Sequence, residues 1–180
     1  MGGLRRSLDF GPIFGAWEAD FGRTYVLGAD PAKLAIRDAL EPLWSWGRDR
    51  FDTDPDITGG RLYAAVVERA AELGWEFGAA IAGHLVGEFP HKRISGTEVD
   101  TYITEGSDLP MRRPDPTGRA CHWILEIHLV DRAGGSAGSS NSFSMCGRRT
   151  DPHDDYSRNM VRHRAYRLRW PPRCRLTRNG

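Results

Sequence analysis

Residues 8–28 read LDFGPIFGAWEADFGRTYVLG. Apolar and small residues alternate here around Gly11, Pro12, Gly15 and Gly22, the pattern of two β-strands joined by a turn. The stretch holds two aspartates, Asp9 and Asp20, eleven positions apart. On paired strands that separation can bring two side chains back to one place. The period then changes. Residues 30–51, DPAKLAIRDALEPLWSWGRDRF, set Leu34, Leu40, Leu43 and Trp44 near one helical face, with Asp30 as N-cap and Pro31 at the first helical position. Pro42 is expected to bend or divide this helix. In residues 56–77, DITGGRLYAAVVERAAELGWEF, Leu62, Val66, Ala70 and Leu73 recur at helical spacing and Gly74 stands where a helix ends. Three strand-like pieces follow: AGHLVGEF at 82–89, TEVDTYITE at 97–105 and CHWILEIHLVDR at 121–132. Strands, then helices, then strands predict an α+β fold, an antiparallel sheet with helices on one face.

The 180 residues, 39% hydrophobic and 27% charged, suffice for one soluble domain with a core. No stretch approaches the roughly 20 apolar residues of a membrane-spanning helix, and MGGLRRSLDFG lacks the apolar run of a signal peptide. A cytoplasmic protein without membrane contact is expected. Cys121, Cys146 and Cys174 are odd in number and form no CxxC pair, which argues for free thiols. Charge is uneven. Residues 134–180 carry ten Arg and three Asp, a net of +7, so the first 133 residues carry −6 of the +1 total. The later segment is rich in Arg, Ser and Pro and poor in aliphatic residues, so a disordered tail is expected over 134–180 and an organised domain over 1–133. An Arg-rich tail can bind nucleic acid, but aromatic and basic residues do not interleave here into a stacking platform.

His84 and His91 lie seven positions apart in IAGHLVGEFPH, residues 81–91. For either alone, the plain reading is an imidazole satisfied by a backbone carbonyl. Glu126 stands among apolar neighbours in ILEIHLV, residues 124–130. Burying an unpaired carboxylate is costly, so it faces solvent or is bound to something. His128, two positions on, shares its face and can support it.

Three segments in this order, LDFGPIFGAWEADFGRT, AGHLVGEFPH and ILEIHLV, resemble the M24 metallopeptidases, the pita-bread fold of methionine aminopeptidases, Xaa-Pro aminopeptidases and prolidases. The resemblance runs from Leu8 to Arg132 and is closest in flavour to the Xaa-Pro-processing branch. It implies a curved antiparallel sheet with helices on its outer face, and hydrolysis of peptide bonds near the N-terminus of a peptide substrate. It also implies a pair of divalent metals, Mn or Co first and Zn or Fe as alternatives. Asp9 and Asp20 would bind the pair, Asp20 bridging, and His84 and Glu126 would bind the second ion. His91 would contact substrate as a catalytic residue. Carboxylates with one imidazole suit such ions. Self-association into a homo-oligomer is left open.

Two departures qualify the implied activity. Family members carry a whole additional half before the first aspartate, whereas Asp9 stands near the start here, so its strand is expected to show an open edge and an exposed apolar face. Family members also carry a last glutamate, bridging both metals, on a strand after ILEIHLV, and nothing after Arg132 resembles it; Asp131 is the nearest acid, in the wrong context. The metal pair is therefore expected to be held weakly or reduced to one ion. Codon degeneracy allows a cause. One permitted coding of AGGSAGSSNSF, read two nucleotides later, gives Arg-Phe-Gly-Gly-Leu-Phe-Glu-Gln-Leu, with the glutamate codon straddling Ser140 and Asn141. The sequence thus supports three functional classes: a metallopeptidase, an inactive remnant or binding module of the same fold, and a nucleic-acid binder.

Overall fold

The computed structural model describes residues 4–14, 17–18, 20–86, 99–115, 118–131 and 136–146, all within the unit Met1–Gly147. The chain opens with nested hairpins. β1 (Leu4–Phe10) pairs antiparallel with β4 (Phe21–Leu27), and β2 (Ile13–Phe14) pairs with β3 (Trp17–Glu18) between them. The ladder sets Leu8 opposite Arg23 and Asp9 opposite Gly22. Strand alternation therefore puts Leu8, Phe10, Tyr25 and Leu27 on one face, and all four are exposed. β1 has no second neighbour among the described residues.

Helix α1 (Pro31–Thr53) starts where its chemistry requires. Asp30 Oδ1 accepts from the backbone N–H of Ala32 and Lys33 at 3.1 and 3.3 Å, and Pro31, lacking an N–H, takes the first helical turn. Ile36, Leu40, Leu43, Trp44 and Phe51 form its buried stripe. Leu34 is only half-buried. The expected division at Pro42 does not occur: α1 runs through it. Pro42 is exposed, so the carbonyl of Asp38, which loses its helical donor, faces the solvent side of the helix where water can serve it.

Helix α2 (Gly59–Glu72) is capped by Thr58, whose hydroxyl accepts from Arg61 N at 3.2 Å. Leu62, Val66 and Ala70 are buried. Leu73, expected in that stripe, caps the helix instead and is 44% exposed, because the chain turns away there through Gly74 at φ +82°.

The main sheet is built on β8 (His122–Asp131). β5 (Glu76–Phe77) and β6 (Ile81–Leu85) pair successive stretches of one edge, and β7 (Tyr102–Thr104), entered through a 3-10 turn at Val99–Thr101, pairs with β6. β9 (Ser136–Cys146) pairs antiparallel along the other edge of β8. The helices pack on one face of β8, where Trp123, Leu125, Ile127 and Leu129 are fully buried. Trp44 Nε1 donates to the Leu125 carbonyl at 3.1 Å and Trp123 Nε1 to the Met111 carbonyl at 2.8 Å, so both indoles are satisfied inside the core. The even-numbered side chains of β8, Glu126 and His128 among them, point to the opposite face.

The α+β class holds, with antiparallel sheets and two helices. The expected tail needs one correction, since Ser136–Cys146 within it forms β9. A ladder uses backbone groups that every non-proline residue carries, so a strand lacking apolar alternation can pair along an open edge of β8. Residues 147–180, with the arginine-rich stretch, lie outside the described residues.

Candidate metal centre

On the face of β8 away from the helices, three segments distant in sequence meet. Asp20 comes from the residue before β4, His84 from β6 and Glu126 from β8. One ligand atom from each lies within 4.8 Å of the others. The β6–β8 register explains part of this: His84 stands directly opposite Ile124, so Glu126, two residues along, is its diagonal neighbour on the same face. Gly83 makes that register attainable. Its φ is +127°, and a Cβ there would sit 1.9 Å from the Ile124 carbonyl oxygen, so the strands close only around glycine.

Each group is held in a particular state. His84 Nδ1 lies 2.8 Å from the Leu85 carbonyl oxygen. A carbonyl can only accept, so Nδ1–H donates, which turns Nε2 toward the cluster, 3.7 Å from Glu126 Oε1. The plain reading of His84 and the ligand reading are thus compatible, one for each ring nitrogen. His128 Nε2 stands 3.3 Å from Glu126 Oε2 and, facing an acceptor, donates. That hydrogen bond is the main cause that holds the Glu126 carboxyl below its usual range; the His84 and His128 charges add to it, and burial opposes it. With its side chain 15% exposed, Glu126 is an ionised carboxylate kept largely from water, and Asp20 Oδ1 is likewise shut off from solvent.

Two carboxylates and an oriented imidazole nitrogen are the donor set of a divalent transition ion. Donors on opposite sides of one such ion stand roughly 4.3 Å apart. The three ligand atoms lie within 4.8 Å of one another, close enough for one ion to reach all of them, and the residues fit a cation.

Of the other sequence-predicted residues, Asp9 occupies the β1 position opposite Gly22, two residues along from Asp20; its side chain falls outside the described part, as does His91 altogether. Asp131 is at the far end of β8, paired with Ser136, and is not in the cluster. Sequence reading did not identify the Leu85 carbonyl that orients His84, nor Phe77, whose ring meets the His128 imidazole edge to face at 6.2 Å. No local signal marks either, because β5 reaches β8 only through the tertiary fold. Cys121 is a buried free thiol whose pKa is raised by that burial.

No family model and no curated protein sequence matches the chain. Solved structures do. An X-Pro aminopeptidase from Thermotoga maritima MSB8 superposes with TM-score 0.54 at 17% identity, covering 79% of this chain and 36% of its own. A prolidase from Pyrococcus furiosus gives 0.51 at 17%, covering 79% and 37%. The chain therefore spans little more than a third of the length of these two structures. The likeness is one of fold: antiparallel sheets and two helices in the arrangement of part of a pita-bread domain.

Proposed function

We propose that this chain is a metal-dependent peptidase of the M24 type, acting on peptide bonds near the N-terminus of its substrate, with Xaa-Pro peptides as the first candidates. What carries the reading is the convergence of Asp20, His84 and Glu126 on a fold shared with an X-Pro aminopeptidase and a prolidase. A divalent ion there would supply Lewis-acid polarisation of a scissile carbonyl. The chain's own part is to keep Glu126 ionised through His128 and to turn His84 Nε2 inward through the Leu85 carbonyl. Asp9 as a further metal ligand and His91 as a substrate contact belong to the same reading, by resemblance.

A second reading is an inactive or binding module of the same fold. β9, the strand beside Glu126, offers no carboxylate, and that observation favours it.

The test is release of an amino acid from Xaa-Pro dipeptides and longer Xaa-Pro peptides by the full chain. Hydrolysis should require added Mn(II) or Co(II), stop with EDTA, return with excess metal and be absent from Glu126→Gln. Hydrolysis that survives EDTA contradicts the proposal, and no release with any divalent ion leaves the second reading.

A further inference from the structure

β7 is short, but its place is fixed from several sides. Its middle residue, Ile103, is fully buried in the core shared with the helices, so strand alternation turns Tyr102 and Thr104 to the opposite face. The backbone of Tyr102 abuts the start of α2: a Cβ at Gly59 would stand 2.7 Å from the Tyr102 carbonyl oxygen, so a larger residue there would push the strand away. Thr104 Oγ1 donates to the Ala80 carbonyl at 2.7 Å and ties the end of β7 to the residue before β6. Ahead of the strand, Asp100 Oδ1 accepts from the backbone N–H of Asp108 and Leu109 at 3.0 and 3.2 Å.

The register decides what Tyr102 stands beside. His84 pairs with Ile124 on one side and with Tyr102 on the other. Residues directly opposite on antiparallel strands share a face, their Cβ atoms about 4.5–5.5 Å apart. Tyr102 therefore flanks His84 on the face of the cluster, across β6 from the strand of Glu126, and it is partly buried there. An ionised carboxylate such as Glu126 only accepts hydrogen bonds, whereas a phenol brings an O–H that donates. Its side chain is longer than the imidazole beside it, so a molecule held at the cluster meets the phenol next to His84.

We infer that Tyr102 is a substrate-contact residue, its phenol O–H donating to the carbonyl oxygen of the peptide bond to be cleaved. The inference rests on the peptidase reading and adds to it a residue outside the three segments that carry the family resemblance. A donor aimed at an oxygen that gathers negative charge as the bond opens contributes more at that stage than to the bound peptide, so its loss is expected chiefly in turnover.

Tyr102→Phe in the full chain loaded with Mn(II) is the test, since it keeps the ring and removes the hydroxyl alone. Calorimetry with the phosphinic analogue of alanylproline, whose charged tetrahedral oxygens stand in for that stage, should show binding about 10- to 100-fold weaker than in the parent. Mn(II) affinity should change by less than about threefold, below the loss that follows removal of a group orienting a metal ligand. In hydrolysis of Xaa-Pro peptides, kcat should fall with KM little changed. Equal phosphinate affinity in parent and variant would overturn the inference, as would no phosphinate binding by the parent. A matching loss of Mn(II) affinity would also overturn it, by making Tyr102 a support for His84. Weaker phosphinate binding in Tyr102→Phe, with no peptide hydrolysed by the parent, would sink the peptidase reading and leave the phenol's contact with a bound peptide standing; hydrolysis untouched by Tyr102→Phe would do the reverse.

Discussion

Glu126 receives a hydrogen bond from His128 on one oxygen while the other faces His84 Nε2, so its carboxylate is fixed before any cation arrives. Groups that orient a metal ligand are worth about 10- to 100-fold in affinity when removed. His128→Ala should lower Mn(II) affinity by that amount, and His128→Gln, which keeps an N–H donor, by less. The conservative variant separates positioning from packing against Phe77, since a purely structural role would be lost in both. Equal loss in the two variants would contradict the role given to the His128 hydrogen bond.

Between elements, the β6–β8 contact carries the site. Gly83→Ala would bring a methyl group onto the Ile124 carbonyl at a positive φ, so the strands must part. Denaturant unfolding should show a loss of about 1–3 kcal/mol from the backbone strain alone, together with weakened metal binding. Stability unchanged in Gly83→Ala would mean that the close approach is not required. At the start of α1, the Asp30 carboxyl sits below its usual 3.8, held there first by Lys33. A depressed folded-state pKa stabilises above the unfolded value and loses that contribution as pH falls through the folded one. Asp30→Ala should therefore lower the Tm at pH 7 and converge with the parent as pH falls below 3.8; a constant difference would contradict this. Asp30, Pro31 and Gly74 were legible because capping chemistry is local. The uninterrupted helix at Pro42, the exposure of Leu73 and the pairing of β9 were not. Each depends on which side faces solvent or which strand edge is open, and neighbouring residues do not encode that. Within the site, the grouping of Asp20, His84 and Glu126 was suggested only through family resemblance, and no local signal marks the Leu85 carbonyl.

The molecule as a whole joins a helix-packed core on one face of β8 to a polar cluster on the other, with one strand supplying both. Trp123, Leu125, Ile127 and Leu129 anchor it, so Glu126 and His128 are held on a strand whose alternate residues cannot move freely. No helix among the described residues is long and apolar enough to cross a membrane. The central claim is that three segments distant in sequence make one cation site on this scaffold. Anomalous X-ray scattering at the manganese edge, from crystals of the full chain soaked in Mn(II), tests it most directly. The account predicts a peak bounded by Asp20, His84 and Glu126 that is absent from Glu126→Gln; no peak there, or a peak bounded by other residues alone, would contradict it.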